Sequence, residues 1–284
     1  MQVFDHPAAM AAWSDEQRRL GRRIGFVPTM GALHDGHLAL MGIAHQHADI
    51  VVASIFVNPL QFDRRDDFDR YPRPLDDDLH ACAAVGVEVV YAPTAAAMYP
   101  PDFQTHVEPG ALAEPLEGAG RPGHFRGVTT VVTKLLTAVR PHVAVFGQKD
   151  YQQLAVVRRL VADLDLGVTI VAAPTVREGD GLALSSRNRR LSPQDRSAAV
   201  AVPRALEAIV HAYAQGERVV ASLEATGRAL LDAEPRARVE YLSVVDAAGL
   251  NALEVLDRDA VAVAAVWFGD IRLIDNVALP APHR

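Results

Sequence analysis

The chain has 284 residues, a formal net charge of −7, and a composition that is 50% hydrophobic and 22% charged. That length predicts about two domains, and a mildly acidic chain without a large basic cluster argues against a nucleic-acid partner. A single cysteine, Cys82, excludes an intramolecular disulfide and a multi-cysteine zinc site. The first twenty residues carry Asp and Glu where a signal peptide needs an apolar core. No run of about 18 apolar residues is present, so neither a membrane span nor an exported protein is expected, and the cytoplasm is the expected compartment. Among the 28 basic residues only Lys134 and Lys149 are lysines, against 26 arginines. This bias reads as GC-rich coding, which makes each surviving lysine worth a question.

Taken in chain order, residues 24–28 (IGFVP) read as a buried strand and 37–47 as a helix. Residues 49–57 (DIVVASIFV) are nearly continuously apolar and rich in β-branched side chains, the mark of a parallel strand covered on both faces. Helix 76–85, strand 87–91, helix 127–139, strand 142–146, helix 151–164 and strand 168–172 follow. Alternation of strand and helix predicts an α/β, doubly wound, parallel-sheet (Rossmann-like) N-terminal domain over 1–175. The pattern then changes. Residues 193–214 and 219–233 read as two helices, and 239–246, 260–268 and 271–277 as three strands. Helices followed by strands predict a smaller α+β C-terminal domain over 176–284, with 177–192 as the linking region.

One glycine run is discounted. Gly118-Ala119-Gly120-Arg121-Pro122-Gly123 matches GxGxxG but follows no strand, contains Pro122, and has no acid about 20 residues on, so a dinucleotide fingerprint is not expected. The run Pro28-Thr29-Met30-Gly31-Ala32-Leu33-His34-Asp35-Gly36-His37 has better context, because it joins the first strand to the first helix. Ligands of open α/β sheets bind beyond the strands' carboxyl ends, and a helix N-terminus suits phosphate. His34 and His37, three apart, share a face and can donate to phosphate oxygens as charge develops. Solvated turn histidines and a zinc pair are the competing readings of these two residues. Phe146-Gly147-Gln148-Lys149-Asp150 ends the fourth strand, where Lys149 is a point-charge donor suited to phosphate and Asp150 can cap the next helix. Leu184-Ser185-Ser186-Arg187-Asn188 offers two hydroxyls and a guanidinium, or simply a polar capped loop.

PTMGALHDGH resembles the HxGH motif of the nucleotidyltransferases related to class I aminoacyl-tRNA synthetases, and SSRN resembles their second phosphate-binding loop. SIFVNPLQF (54–62), RPGHFRG (121–127), FGQKDYQQL (146–154) and RLIDN (272–276) narrow the likeness to the pantoate–β-alanine ligase family, over nearly the whole chain. The resemblance implies condensation of pantoate with β-alanine using ATP, through a pantoyl-adenylate, with release of AMP and pyrophosphate. It also implies Mg²⁺ and a homodimer.

Carried onto this chain, the resemblance assigns Met30, Gly31, Ala32, Leu33, His34, Asp35, Gly36 and His37 to ATP, with His37 as proton donor. Gly147, Gln148, Lys149, Asp150, Val176, Leu184, Ser185, Ser186 and Arg187 are assigned to ATP as well. Asn58, Gln61 and Gln153 go to pantoate, with Gln61 also near β-alanine. His34, His37, Lys149 and Arg187 make the catalytic set, offsetting the repulsion between a carboxylate and a phosphate. In the acidic run 76–78, Asp77 takes the magnesium-associated place; an acidic helix start favoured by the dipole is the plainer alternative. RPGHFRG and the charged run 63–66 are candidate covers over the reacting anhydride. A nucleotidyltransferase that keeps the nucleotide in its product, and a nucleotide-binding module without turnover, are the rival functions.

Overall fold

The computed structural model describes residues 1–63 and 65–281; Arg64 of the candidate cover, and residues 282–284, lie outside the described residues. The chain divides into two compact units. One comprises Met1–Gly147 and Gln152–Pro174, the other Gln148–Tyr151 and Thr175–Arg284.

In the first unit the elements are β1 (Gln2–Phe4), α1 (Pro7–Arg19), β2 (Ile24–Thr29), α2 (Asp35–His47), β3 (Ile50–Ile55), α3 (Arg65–Arg70), α4 (Leu75–Ala84) and β4 (Val89–Tyr91). Then come α5 (Ala95–Met98), α6 (Glu117–Gly120), α7 (His124–Val139), β5 (Val143–Gly147), α8 (Tyr151–Asp163) and β6 (Thr169–Ala173). The six strands form one sheet in the order β1-β4-β3-β2-β5-β6, with every pairing parallel. Alternation along each strand feeds two cores, as a sheet covered on both faces requires. Phe26, Val52 and Tyr91 enter a core with Phe125, Leu136 and Leu154, whereas Val27, Val51, Ala53 and Val90 enter one with Met41 and Cys82. The doubly wound α/β reading of the sequence therefore holds.

Strand order places the ligand-binding edge. Strand β2 pairs with β3 on one side and β5 on the other. The winding reverses there, and ligands of such sheets bind beyond the carboxyl ends of strands at that reversal. Thr29 ends β2 and Gly147 ends β5, so the histidine run starts at this edge.

The second unit contains α9 (Pro193–Ala198), α10 (Ala201–Ala214), α11 (Val220–Asp232), β7 (Ala237–Asp246), β8 (Ala260–Phe268) and β9 (Ile271–Leu279). The strands form an antiparallel sheet in the order β7-β8-β9. Its core gathers Leu206, Ile209 and Leu223 from the helices with Ala262, Val266 and Phe268 from β8, an α+β arrangement as expected.

Two expectations need correction. The single helix expected over 193–214 is two, because Pro203 has no N–H to offer the Ala199 carbonyl and is tolerated only in the first turn of a new helix. The linking region 177–192 is packed structure. Arg177 bridges Ala183, Ser186–Arg190 forms a 3₁₀ turn, and Leu182 and Ala183 are buried. The RPGHFRG segment includes the start of α7, which begins at His124 with Phe125 and Gly127 buried. Strand β1 and helix α1 add to the sequence reading, for β1 has only three residues and the buried face of α1 sets polar Ser14 and Gln17 beside Met10, so no apolar stripe marks it. Among the described residues no helix is long and apolar enough to cross a membrane.

Candidate active site

The histidine loop is shaped by a carboxylate from another helix. Gly31 and Ala32 both take left-handed backbone conformations, with φ of 77° and 51°. Two successive N–H groups in such a turn form a concavity that suits an anion. Asp78, only 3% exposed, fills it: its carboxylate accepts from the N–H of Ala32 at 2.8 Å and of Leu33 at 2.7 Å. A Cβ on Gly31 would lie 2.7 Å from Asp78 Oδ2, so glycine serves both the backbone angle and the close approach. His34 then caps α2, its Nδ1 accepting from the N–H of Gly36 at 3.2 Å. The loop brings the His34 and His37 rings together at 4.1 Å between centroids. Leu33, Gly36 and His37 are half-buried and Asp35 is exposed.

Met30 connects this loop to the NPLQF segment. The Gln61 amide donates to Met30 Sδ at 3.3 Å, and its oxygen accepts from Asn58 Nδ2 at 3.0 Å. Asn58 is fully buried. It also donates to the Gly127 carbonyl at 3.1 Å, and its oxygen accepts from the Leu60 N–H and, at 2.8 Å, from the Tyr99 hydroxyl. Its hydrogen-bonding capacity is spent inside the protein. Asn58, expected to bind pantoate, holds the Gln61 side chain in this arrangement. The Gln61 carbonyl in turn accepts from Arg121 Nη2 at 3.2 Å and is 2.8 Å from His124 Nδ1. Helix α7 approaches so closely that a Cβ on Gly127 would sit 2.2 Å from the Leu60 carbonyl oxygen. Three separated motifs of the first unit thus meet at Gln61: the histidine loop, NPLQF and RPGHFRG. Gln153 is half-buried on α8, whereas its neighbour Gln152 is buried and serves structure, holding the Glu117 N–H and the carbonyls of Leu112 and Pro115.

In the second unit, Val176 and Leu184 face each other across the short Arg177–Ala183 hairpin, the Leu184 N–H donating to the Val176 carbonyl at 2.9 Å. Ser185 caps the next turn by accepting from the Arg187 N–H at 3.2 Å, and Ser186 and Arg187 are half-buried. Buried Asn188 anchors this turn through Glu178 at 2.7 Å and the Ala183 carbonyl at 3.0 Å. Gln148 and Lys149 are half-buried and Asp150 is exposed.

The metal expectation fares differently. Asp77 is exposed on α4, and Asp78 is committed to backbone N–H groups. Among the described residues no group of three or more His, Cys, Asp or Glu side chains could hold a metal ion. The histidine pair lacks the further ligands of a zinc site, whereas an exposed carboxylate such as Asp77 suits an ion that takes most of its ligands from substrate phosphates and water. Cys82 is fully buried, and burial together with the Asp78 charge pushes its thiol up to about 11, so it packs rather than reacts.

Fold and loop define the class of parallel α/β proteins that carry an HxGH turn at the carboxyl edge of the sheet, where such sheets bind their ligands. Comparisons narrow the class. The family model described as pantoate-beta-alanine ligase matches residues 2–278. Pantothenate synthetase of Heliobacterium modesticaldum is 51% identical over 279 residues, covering 98% of this chain and 99% of that protein. The crystal structure of pantothenate synthetase from Thermus thermophilus superposes with a TM-score of 0.93 at 45% identity, covering 98% of this chain and 99% of that one. A pantoate-beta-alanine ligase from Francisella tularensis, complexed with beta-gamma ATP and beta-alanine, gives a TM-score of 0.79 at 32% identity over 98% of this chain and 97% of that one. The chain belongs to the pantoate–β-alanine ligase family.

Proposed function

We propose a residue-level course for the reaction that family membership gives this chain, the ATP-dependent ligation of pantoate and β-alanine to pantothenate. A pantoate carboxylate oxygen attacks the α-phosphorus of ATP, the bond to pyrophosphate breaks, and a pantoyl-adenylate forms. The β-alanine amine then attacks the acyl carbon. The bond to AMP breaks, an amide forms, and the amine loses its proton. The first step sets an anion against an anion, so cationic and N–H donors are needed where charge develops. His34 and His37 supply them from the helix start, and Lys149 and Arg187 are assigned to the same polyphosphate, with His37 as the proton donor. Residues 30–37, 147–150, Val176 and 184–187 bind ATP, and residues 1–175 form the domain that takes nucleotide and pantoate, with 176–284 as the smaller domain. Gln61 and Gln153 hold pantoate. Neutral amides bind hydroxyls and carboxylate without themselves competing as nucleophiles.

The observation that carries this reading is the Gln61 amide held against Met30 of the histidine loop, which puts an acid-binding group next to a phosphate-binding turn. Magnesium enters with ATP as its phosphate complex, as is usual for an ion that keeps few protein ligands, and no step is assigned to it. The chain works as a cytoplasmic homodimer, a reading carried by the family resemblance. The test is pantoate-dependent exchange of labelled pyrophosphate into ATP without β-alanine. Exchange is expected, and its absence from folded protein supplied with Mg²⁺ sinks the adenylate. His37→Ala is expected to slow exchange by roughly 10²-fold or more, the range for a lost transition-state donor.

A further inference from the structure

The RLIDN segment of β9 carries no assigned role in the reaction, yet it contains two of the most buried polar side chains of the second unit, Asp275 (3% exposed) and Asn276 (9%). The Asn276 Nδ2 donates to two consecutive backbone carbonyls, Gln148 and Lys149, both at 2.9 Å. An amide nitrogen has two hydrogens, so one side chain satisfies both acceptors. Asn276 is itself held. Its own N–H donates to Asp275 Oδ1 at 2.8 Å. Asp275 accepts a two-pronged guanidinium, with Arg177 Nη1 at 2.7 Å on one oxygen and Nη2 at 3.0 Å on the other. Such a fork fixes orientation as well as distance. Arg177 also donates to the Gly181 carbonyl at 2.9 Å, which ties the relay to the hairpin bearing Val176 and Leu184.

We propose that Asn276 is a positioning residue for Lys149, and that the Arg177–Asp275–Asn276 relay fixes the backbone from which the lysine reaches the nucleotide. Two carbonyls turned towards one amide fix the peptide planes on either side of the lysine, and with them the direction of its Cα–Cβ bond. A flexible four-carbon stem delivers its ammonium reproducibly only from a fixed origin. The residue type follows from the partners. An Asp at 276 would turn acceptors towards two acceptors, and a Ser has one donor for two carbonyls. The inference rests on the reading that Lys149 contacts the ATP phosphates.

The experiment is a double-mutant cycle on the full chain, using Asn276→Ala, Lys149→Ala and the pair. The readouts are kcat/KM for ATP, KM for β-alanine and thermal stability. Loss of two hydrogen bonds to the turn predicts a fall of about tenfold in kcat/KM for ATP in Asn276→Ala. KM for β-alanine should stay within about twofold, and the pair should fall no more than about twofold below Lys149→Ala alone, because coupled residues are not additive. Asn276→Asp, which keeps the size, should lose more than Asn276→Ala and carries the cycle if the alanine variant does not fold. Multiplicative losses in the pair, or wild-type kcat/KM in both Asn276 variants beside a crippled Lys149→Ala, overturn the positioning role alone. Wild-type activity of Lys149→Ala removes the lysine from the reaction, and the inference with it.

Discussion

Asp78→Asn is the most direct probe of how the histidine loop is held. The carboxylate accepts two backbone N–H groups, 2.8 Å and 2.7 Å away, at a buried position. The asparagine keeps one acceptor oxygen and turns an N–H₂ towards the other N–H, so one charge-assisted bond is lost and two donors are opposed. Hydrogen bonds to charged groups contribute about 1.5–3 kcal/mol each, so a loss of about 2–3 kcal/mol is expected. At roughly 2–4 °C per kcal/mol for a unit of this size, the first unit should melt about 4–12 °C lower. Where the loop must be ordered for the reaction, the same energy corresponds to about 30- to 150-fold in pyrophosphate exchange, at 1.4 kcal/mol per factor of ten. Asp77→Asn is the control: an exposed carboxylate away from such features should change stability by no more than about 0.5 kcal/mol. Thermal melts, amide hydrogen exchange at Ala32 and Leu33, and pyrophosphate exchange would be measured on both variants. Indistinguishable variants, or a loss confined to Asp77→Asn, would refute the reasoning. The second result would return the functional carboxylate to Asp77.

Lys149→Arg should lower pyrophosphate exchange although it keeps the charge, whereas Lys134→Arg should leave it nearly unchanged; equal activities would reduce both lysines to survivors of coding bias. The Lys134 ammonium lies over the rings of Tyr99 and Phe103, 5.8 Å and 5.1 Å from their centroids, a place a guanidinium also fills. His142 accepts from the Ile24 N–H at 2.9 Å, and burial, then the charges of Arg18 and Arg23, hold its imidazole below the ordinary value. Because the unfolded chain then binds the proton more readily, stability should fall as pH drops below about 6.5. His142→Asn should flatten that part of a melting-temperature profile, and an unchanged slope would remove His142 as its cause. Cys82 should resist alkylation in native protein at neutral pH and react only on unfolding, and Cys82→Ser should retain activity; rapid native labelling would contradict its burial.

The acidic run 76–78 shows where one-dimensional reading stops. Three consecutive acids on a helix point about 100° apart, and nothing in their identity says which faces the loop. Packing of α4 against the sheet turns Asp78 inward and leaves Asp77 in water. Asn58 makes the same point. Its neighbours in sequence mark a functional segment, but only the arrival of Tyr99 and α7 shows that its amide is consumed within the protein.

By itself the sequence determined the doubly wound sheet, because β-branched runs such as 50–55 can be buried on both faces only between helices, and the reaction class came from the family resemblance that its separated motifs carry. It also singled out Lys149 by its rarity. The tertiary structure decided which groups the polar side chains hold: Asp78 the histidine loop, Asn58 the Gln61 amide, and Asn276 the turn that carries Lys149. In each case the partner is a backbone group or amide brought close by the path of the chain. Every residue carries the same peptide N–H and C=O, so sequence cannot label such a partner, and only the fold sets the distance that makes the bond.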